Sequence, residues 1–262
     1  MVKGIQRFVQ HFKGFEDSYI LIGGAACDLW LADHGLRFRV TKDLDLVLVV
    51  EALRPAFFER FWAFIVAGRY RSHQQSASRP VFYRFKNPDA AEYPHMIELL
   101  SRNHLHLPGG MHLAPIPGDE DISSLSAILL DDTYYHFVVQ SRIMLNGVPI
   151  IPAPCLIPLK ARAWLDLGAR KSRGDDTVKS NDNRKHRNDV FSLSRSLAQT
   201  DRFALPNPVQ ADLRAFLESF PPDSPDWPAI HQAVGRPELP DPSMILARLS
   251  ANFDITAGTV HD

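Results

Sequence analysis

The chain has 262 residues, 45% hydrophobic and 23% charged, with a formal net charge of −1. That length suits two ordinary domains or one large one, and the near-zero charge gives no general sign of nucleic-acid binding. No run approaches the roughly 20 apolar residues that span a bilayer, and no apolar segment of signal-peptide type follows Met1. Cys27 and Cys155 are too few for a disulfide framework and read as reduced core thiols, so a cytoplasmic protein with no membrane partner is expected.

In chain order, Ile5, Phe8, Val9, Phe12 and Phe15 recur at helical spacing and predict an amphipathic helix over residues 4–17. Tyr19-Ile-Leu-Ile22 reads as a buried strand that breaks at Gly23-Gly24 into a helix over 25–33, stopped by Gly35. A strand over 43–50 follows, then a helix over 53–67 that buries Phe57, Phe58, Phe61, Trp62, Phe64 and Ile65. Residues 79–86 and 95–100 alternate on either side of the turn Asn87-Pro88-Asp89 and predict two antiparallel strands. Residues 133–139 and 148–151 are further strand candidates, with Asn146-Gly147 as the loop between them. Pro152, Pro154 and Pro158 then punctuate the chain before an apolar-periodic helix over 159–167. The boundary is placed here, giving a first domain over 1–152 and a mainly helical one over 153–262. Residues 168–183 are polar and lack large apolar side chains, which predicts a flexible loop. Lys and Arg outnumber Asp and Glu about two to one over 160–200. Such a block suits a phosphate backbone or a triphosphate, and equally a solvated helix face.

The chemistry concentrates in three places. Gly23-Gly24 lets the backbone approach a ligand where a Cβ would intrude, and the helix that follows offers free N–H groups to a phosphate. Asp43 and Asp45, in Asp-Leu-Asp-Leu-Val-Leu, share one strand face while Leu44 and Leu46 enter the core. Two carboxylates so placed repel unless a cation lies between them, and oxygen ligands favour magnesium or manganese. Glu98, in His-Met-Ile-Glu-Leu-Leu, faces away from Ile97 and Leu99 and is the third acid; Arg79 or Arg84 on the neighbouring strand would balance its charge. Three histidines, His104, His106 and His112, lie close in sequence, but no zinc-type spacing accompanies them.

Together these residues resemble the polymerase-β-like nucleotidyltransferase superfamily, whose signature is a strand, Gly-Gly or Gly-Ser, a helix, an Asp-x-Asp strand and a later third acid. Arg39-Val-Thr41-Lys-Asp43-Leu-Asp45 further resembles the Arg-x-Thr-x-Asp-x-Asp form of abortive-infection E toxin-type enzymes, of type IV toxin–antitoxin systems. Within that resemblance Lys160 and Asp189 match the subgroup's catalytic lysine and aspartate, although a second acid common in relatives is absent near Ser192. The resemblance implies an α/β nucleotidyltransferase fold with a short mixed sheet and flanking helices, followed by a helical domain. It implies transfer of a nucleotidyl group from ATP or another nucleoside triphosphate to an acceptor hydroxyl. Asp43 and Asp45 would hold Mg2+ or Mn2+, Glu98 would complete the metal site or serve as general base, and Gly23, Gly24, Thr41, Lys42 and Lys160 would contact the nucleotide. The acceptor would be RNA, tRNA included, and a separately encoded antitoxin protein would restrain the enzyme. Two other readings fit the same residues: a small-molecule nucleotidyltransferase of the antibiotic-inactivating kind, and a non-catalytic nucleotide-binding module. From sequence alone Lys160 is taken as an exposed lysine near a helix start, so its replacement by alanine is expected to leave stability almost unchanged.

Overall fold

A computed structural model describes residues 2–72, 84–100, 105–107, 111–113, 131–176, 178, 180–235 and 240–255. The chain separates into two compact units, Met1–Pro152 and Ala153–Asp262.

The first unit is α/β and is built on a seven-stranded mixed sheet. Its strands are β1 Tyr19–Ile22, β2 Asp43–Leu48, β3 Arg71–Ser72, β4 Arg84–Lys86, β5 Met96–Leu100, β8 Ile143–Leu145 and β9 Val148–Ile150. They lie in the order β3-β4-β5-β2-β1-β9-β8, while β6 Leu105–Leu107 and β7 Met111–Leu113 form a separate pair. β2 runs antiparallel to β1 and parallel to β5, and β4 runs antiparallel to β5. Direct partners share a sheet face, which divides the side chains cleanly. Ile20, Ile22, Asp43, Asp45, Glu98 and Arg84 take one face; Tyr19, Leu21, Leu44, Leu46, Ile97 and Phe85 take the other.

The second of these faces is covered by aromatics. Helices α1 Ile5–His11 and α3 Pro55–Gly68 supply Phe8, Phe57, Phe61 and Phe64, which surround Phe12. Tyr19 meets Phe8 edge-on at 5.4 Å, and Phe85 meets Phe61 at 5.3 Å. Rings in such edge and tilted arrangements gain electrostatic energy beyond their buried area. The acid face is not without apolar burial, since Ile20, Ile22 and Val47 on it are fully buried, but the aromatic cluster lies on the face opposite the acids.

Some expected elements change character. Residues 133–139 form not a strand but part of helix α4, Asp132–Gln140. Asp131 caps it, accepting hydrogen bonds from the backbone N–H groups of Thr133 and Tyr134. Tyr134, Tyr135 and Val138 then share one buried face, and capping plus burial outweigh the β preference of the aromatic and branched residues. The Tyr135 hydroxyl accepts from Val50 N–H at 3.0 Å and lies 2.9 Å from Glu51 Oε2, tying α4 to the chain just after β2. The strand expected over 79–86 is described only as Arg84–Lys86; residues 79–83 lie outside the described residues.

The second unit is helical: α5 Ala153–Ser172, α6 Ser180–Leu193, α7 Asn207–Glu218, α8 Trp227–Val234 and α9 Pro242–Asn252. α5 begins six residues earlier than the prolines suggest, because Pro154 sits in its first turn, where the missing N–H costs nothing. Pro158 is tolerated inside it. The loop expected over 168–183 is helical at both ends and closed by Arg170, whose guanidinium pairs with Asp175 at 2.8 Å. Trp164, Phe191, Phe216, Phe220 and Trp227 interlock as the aromatic core of this unit. Cys27 and Cys155 are both buried and form no disulfide. Among the described residues no helix is long and apolar enough to cross a membrane.

Candidate functional site

β1 passes directly into α2, Gly23–Asp33, with no intervening loop. That junction forces Gly23 to φ +66°, a backbone conformation in which a side chain costs about 1–2 kcal/mol. A Cβ there would also stand 1.9 Å from Asp45 Oδ2. At Gly24 a Cβ would stand 2.5 Å from Thr41 Oγ1. The glycines thus admit two side chains of the acidic strand, the carboxylate of Asp45 and the hydroxyl of Thr41, against the start of α2. The N-cap residue Ile22 has no polar side chain to cap that helix end and no acidic residue lies in its first turn, so Asp45 brings negative charge to an N-terminus whose dipole favours it.

Gly23→Ala should accordingly destabilise the fold by more than its backbone cost of about 1–2 kcal/mol, because the Asp45 carboxylate must move as well. Urea unfolding measures this; a change below about 0.5 kcal/mol, the scale of an inert surface substitution, would contradict the packing described.

β2 and β5 set the acids in register. Asp45 is opposite Glu98, Asp43 is opposite Met96, and Ile22 of β1 is opposite Asp45 on its other side. Arg84 of β4 is opposite Glu98. A single row across four strands therefore reads Ile22, Asp45, Glu98, Arg84. Asp43 and Asp45 are half-buried, Glu98 is only 3% exposed, and Arg84 Nη2 lies 3.1 Å from Glu98 Oε1. Of the two arginines expected to balance Glu98, register selects Arg84; Arg79 lies outside the described residues. Among the described residues no group of three His, Cys, Asp or Glu side chains is arranged to hold a metal ion. The donor set still suits a hard divalent cation in kind: two carboxylates two positions apart on one face, beside a glycine-lined helix start. Lys42 is exposed, and its carbonyl accepts from His95 N–H at 3.2 Å.

Lys160 and Asp189 meet in the second unit. Lys160 Nζ lies 3.1 Å from Asp189 Oδ2, with the two side chains 3% and 1% exposed. The expected exposure of Lys160 is therefore corrected, as is its place near a helix start, since it sits in the third turn of α5. The sequence carried a signal for this: Lys160 follows Leu156 by four and precedes Leu167 by seven, within the apolar stripe of the helix. Arg187, two residues before Asp189, pairs with Asp226. Other cations of the basic stretch are also paired, Arg162 with Asp212, Arg170 with Asp175 and Lys185 with Asp182. Much of the local positive charge is thus neutralised.

No protein-family model matches the chain, and no curated protein matches it. Among solved structures it is similar to an antigenic nucleotidyltransferase-like protein from Paracoccidioides brasiliensis. The identity is 15%, the match covers 86% of this chain and 89% of that one, and the TM-score is 0.43. A likeness at that level assigns no residue a role.

Proposed function

We propose that the chain is a metal-dependent nucleotidyltransferase, moving a nucleoside monophosphate from a nucleoside triphosphate to an acceptor hydroxyl. The observation that carries this reading is the row in which the strand–Gly-Gly–helix junction, Asp45 and Glu98 stand side by side. Asp43 and Asp45 would hold Mg2+ or Mn2+, which when bound offsets the triphosphate charge and makes the α-phosphorus electrophilic. The first turn of α2 offers backbone N–H groups of the kind that suit phosphate oxygens, with Lys42 and Thr41 close in sequence to the acids as further donors. On the toxin-type resemblance we also propose catalytic roles for Lys160 and Asp189, which pair with each other in the second unit. Positioning and electrostatics, not a covalent intermediate, would supply the rate.

We further propose RNA, tRNA included, as the acceptor and an antitoxin-restrained, toxin-like role, both resting on the Arg39-to-Asp45 motif. A small hydroxylated acceptor is the second reading, favoured by the internal pairing of the basic stretch. Incubating the protein with each α-phosphate-labelled triphosphate, Mg2+ and either total RNA or a small-metabolite fraction separates them. Label should enter RNA; label only in the metabolites would select the second reading, and no labelled acceptor with any triphosphate would remove transfer altogether.

A further inference from the structure

The third acid of the row is already engaged. Glu98 is almost fully buried, and its carboxylate is paired with the guanidinium of Arg84, itself largely shielded at 14% side-chain exposure. The two residues are direct cross-strand partners, so the backbone register of β4 and β5 enforces the contact. Asp45 is the partner of Glu98 on its other edge, and it leans toward α2, where its Oδ2 fills the space beside Gly23. Neighbouring acids are therefore drawn in opposite directions, Asp45 to the helix start and Glu98 to Arg84.

We infer that Arg84 is a positioning residue that holds Glu98 out of the metal's coordination sphere, so that the cation is bound by Asp43 and Asp45 without the third acid. This rests on the nucleotidyltransferase reading for the metal itself, and it sets aside the alternative in which Glu98 completes the metal site. A buried ion pair of this kind is costly to break, because removing either member leaves the other charge uncompensated. Its partner groups can nonetheless tune metal affinity as strongly as ligands do.

Titration of the full-length protein with Mn2+ alone, followed by the loss of the free-ion paramagnetic resonance signal, tests the inference without any turnover. Glu98→Gln should leave Mn2+ affinity within about twofold of wild type, whereas Asp45→Asn should weaken it about tenfold or more, the effect of losing a group that holds the metal. Arg84→Gln should release Glu98 to join the aspartates and tighten binding about tenfold, a gain on the scale of outer-partner effects. The double variant Arg84→Gln with Glu98→Gln should lose that gain. Circular dichroism checks each fold; should Arg84→Gln not fold, the comparison of Glu98→Gln with wild type still decides. If Glu98→Gln weakens Mn2+ as much as Asp45→Asn, Glu98 is a ligand and the inference is overturned while the metal reading stands. A folded Arg84→Gln protein with unchanged affinity overturns it too. No Mn2+ binding to wild type overturns both.

Discussion

Asp45→Asn should abolish nucleotidyl transfer, by about 10³-fold or more, the upper end for loss of a preorganised charge-stabilising group. The substitution is close to isosteric, so the side chain still fits the space that Gly23 leaves for it. What it removes is one negative charge from a sheet face that also carries Asp43 and Glu98, with Arg84 compensating one of the three. Thermal unfolding in the presence of a chelator should therefore be unchanged or slightly improved. Asp43→Asn should behave in the same way. Asp45→Glu provides the contrasting case: it keeps the charge but adds a methylene where Gly23 allows no extra atom, so both transfer and stability should fall. Labelled-triphosphate transfer and unfolding temperature, measured on the same preparations, check the pattern. Wild-type turnover in both asparagine variants would end the reading of this face as a metal site.

How much of this was legible in the sequence depends on how local each feature is. Period-two alternation placed Asp43 and Asp45 on one face, and the loop at Asn146-Gly147 was legible from its residues, but the strand it joins to β9 is Ile143–Leu145 and not the expected 133–139. The pairing of Asp45 with Glu98 was not visible, because it is a parallel contact between strands separated by α3 and the β3–β4 region. Sequence can place an acid on a strand, but only register chooses its neighbours. The same limit left Arg79 and Arg84 indistinguishable. The error over 133–139 has a different source: aromatic and branched residues favour strands on average, yet Asp131 satisfies two N–H groups at the start of α4 and tips the balance. At 168–183 low hydrophobicity was read as lack of structure, whereas the Arg170–Asp175 pair and helix on either side order much of the segment. Each error came from weighing a residue's average preference above a specific partner.

Lys160 shows the cost of that substitution of average for partner, and it yields the second large effect. Alanine at an exposed helix position would be neutral or stabilising, but Lys160 is buried against Asp189. Lys160→Ala should therefore destabilise the protein by about 3–5 kcal/mol, since it leaves the carboxylate buried without its cation. Asp189→Ala should cost a similar amount for the opposite reason. The cost reflects the orphaned partner more than the worth of the pair, because well-packed apolar residues often replace a buried ion pair without loss. The double variant Lys160→Met with Asp189→Leu should accordingly recover most of the stability lost in either single variant. Denaturant unfolding of wild type, Lys160→Met, Asp189→Leu and the double variant gives the interaction energy directly. The double variant also isolates chemistry from folding. If Lys160 and Asp189 have the proposed catalytic roles, the recovered protein should still transfer about 10²-fold more slowly than wild type, the loss expected when one preorganised donor is removed. Arg162→Ala, two positions along α5 and paired with Asp212 on a more exposed face, is the control and should retain activity. Wild-type turnover in the folded double variant would make Lys160 and Asp189 a packing pair and remove the toxin-type assignment of their roles.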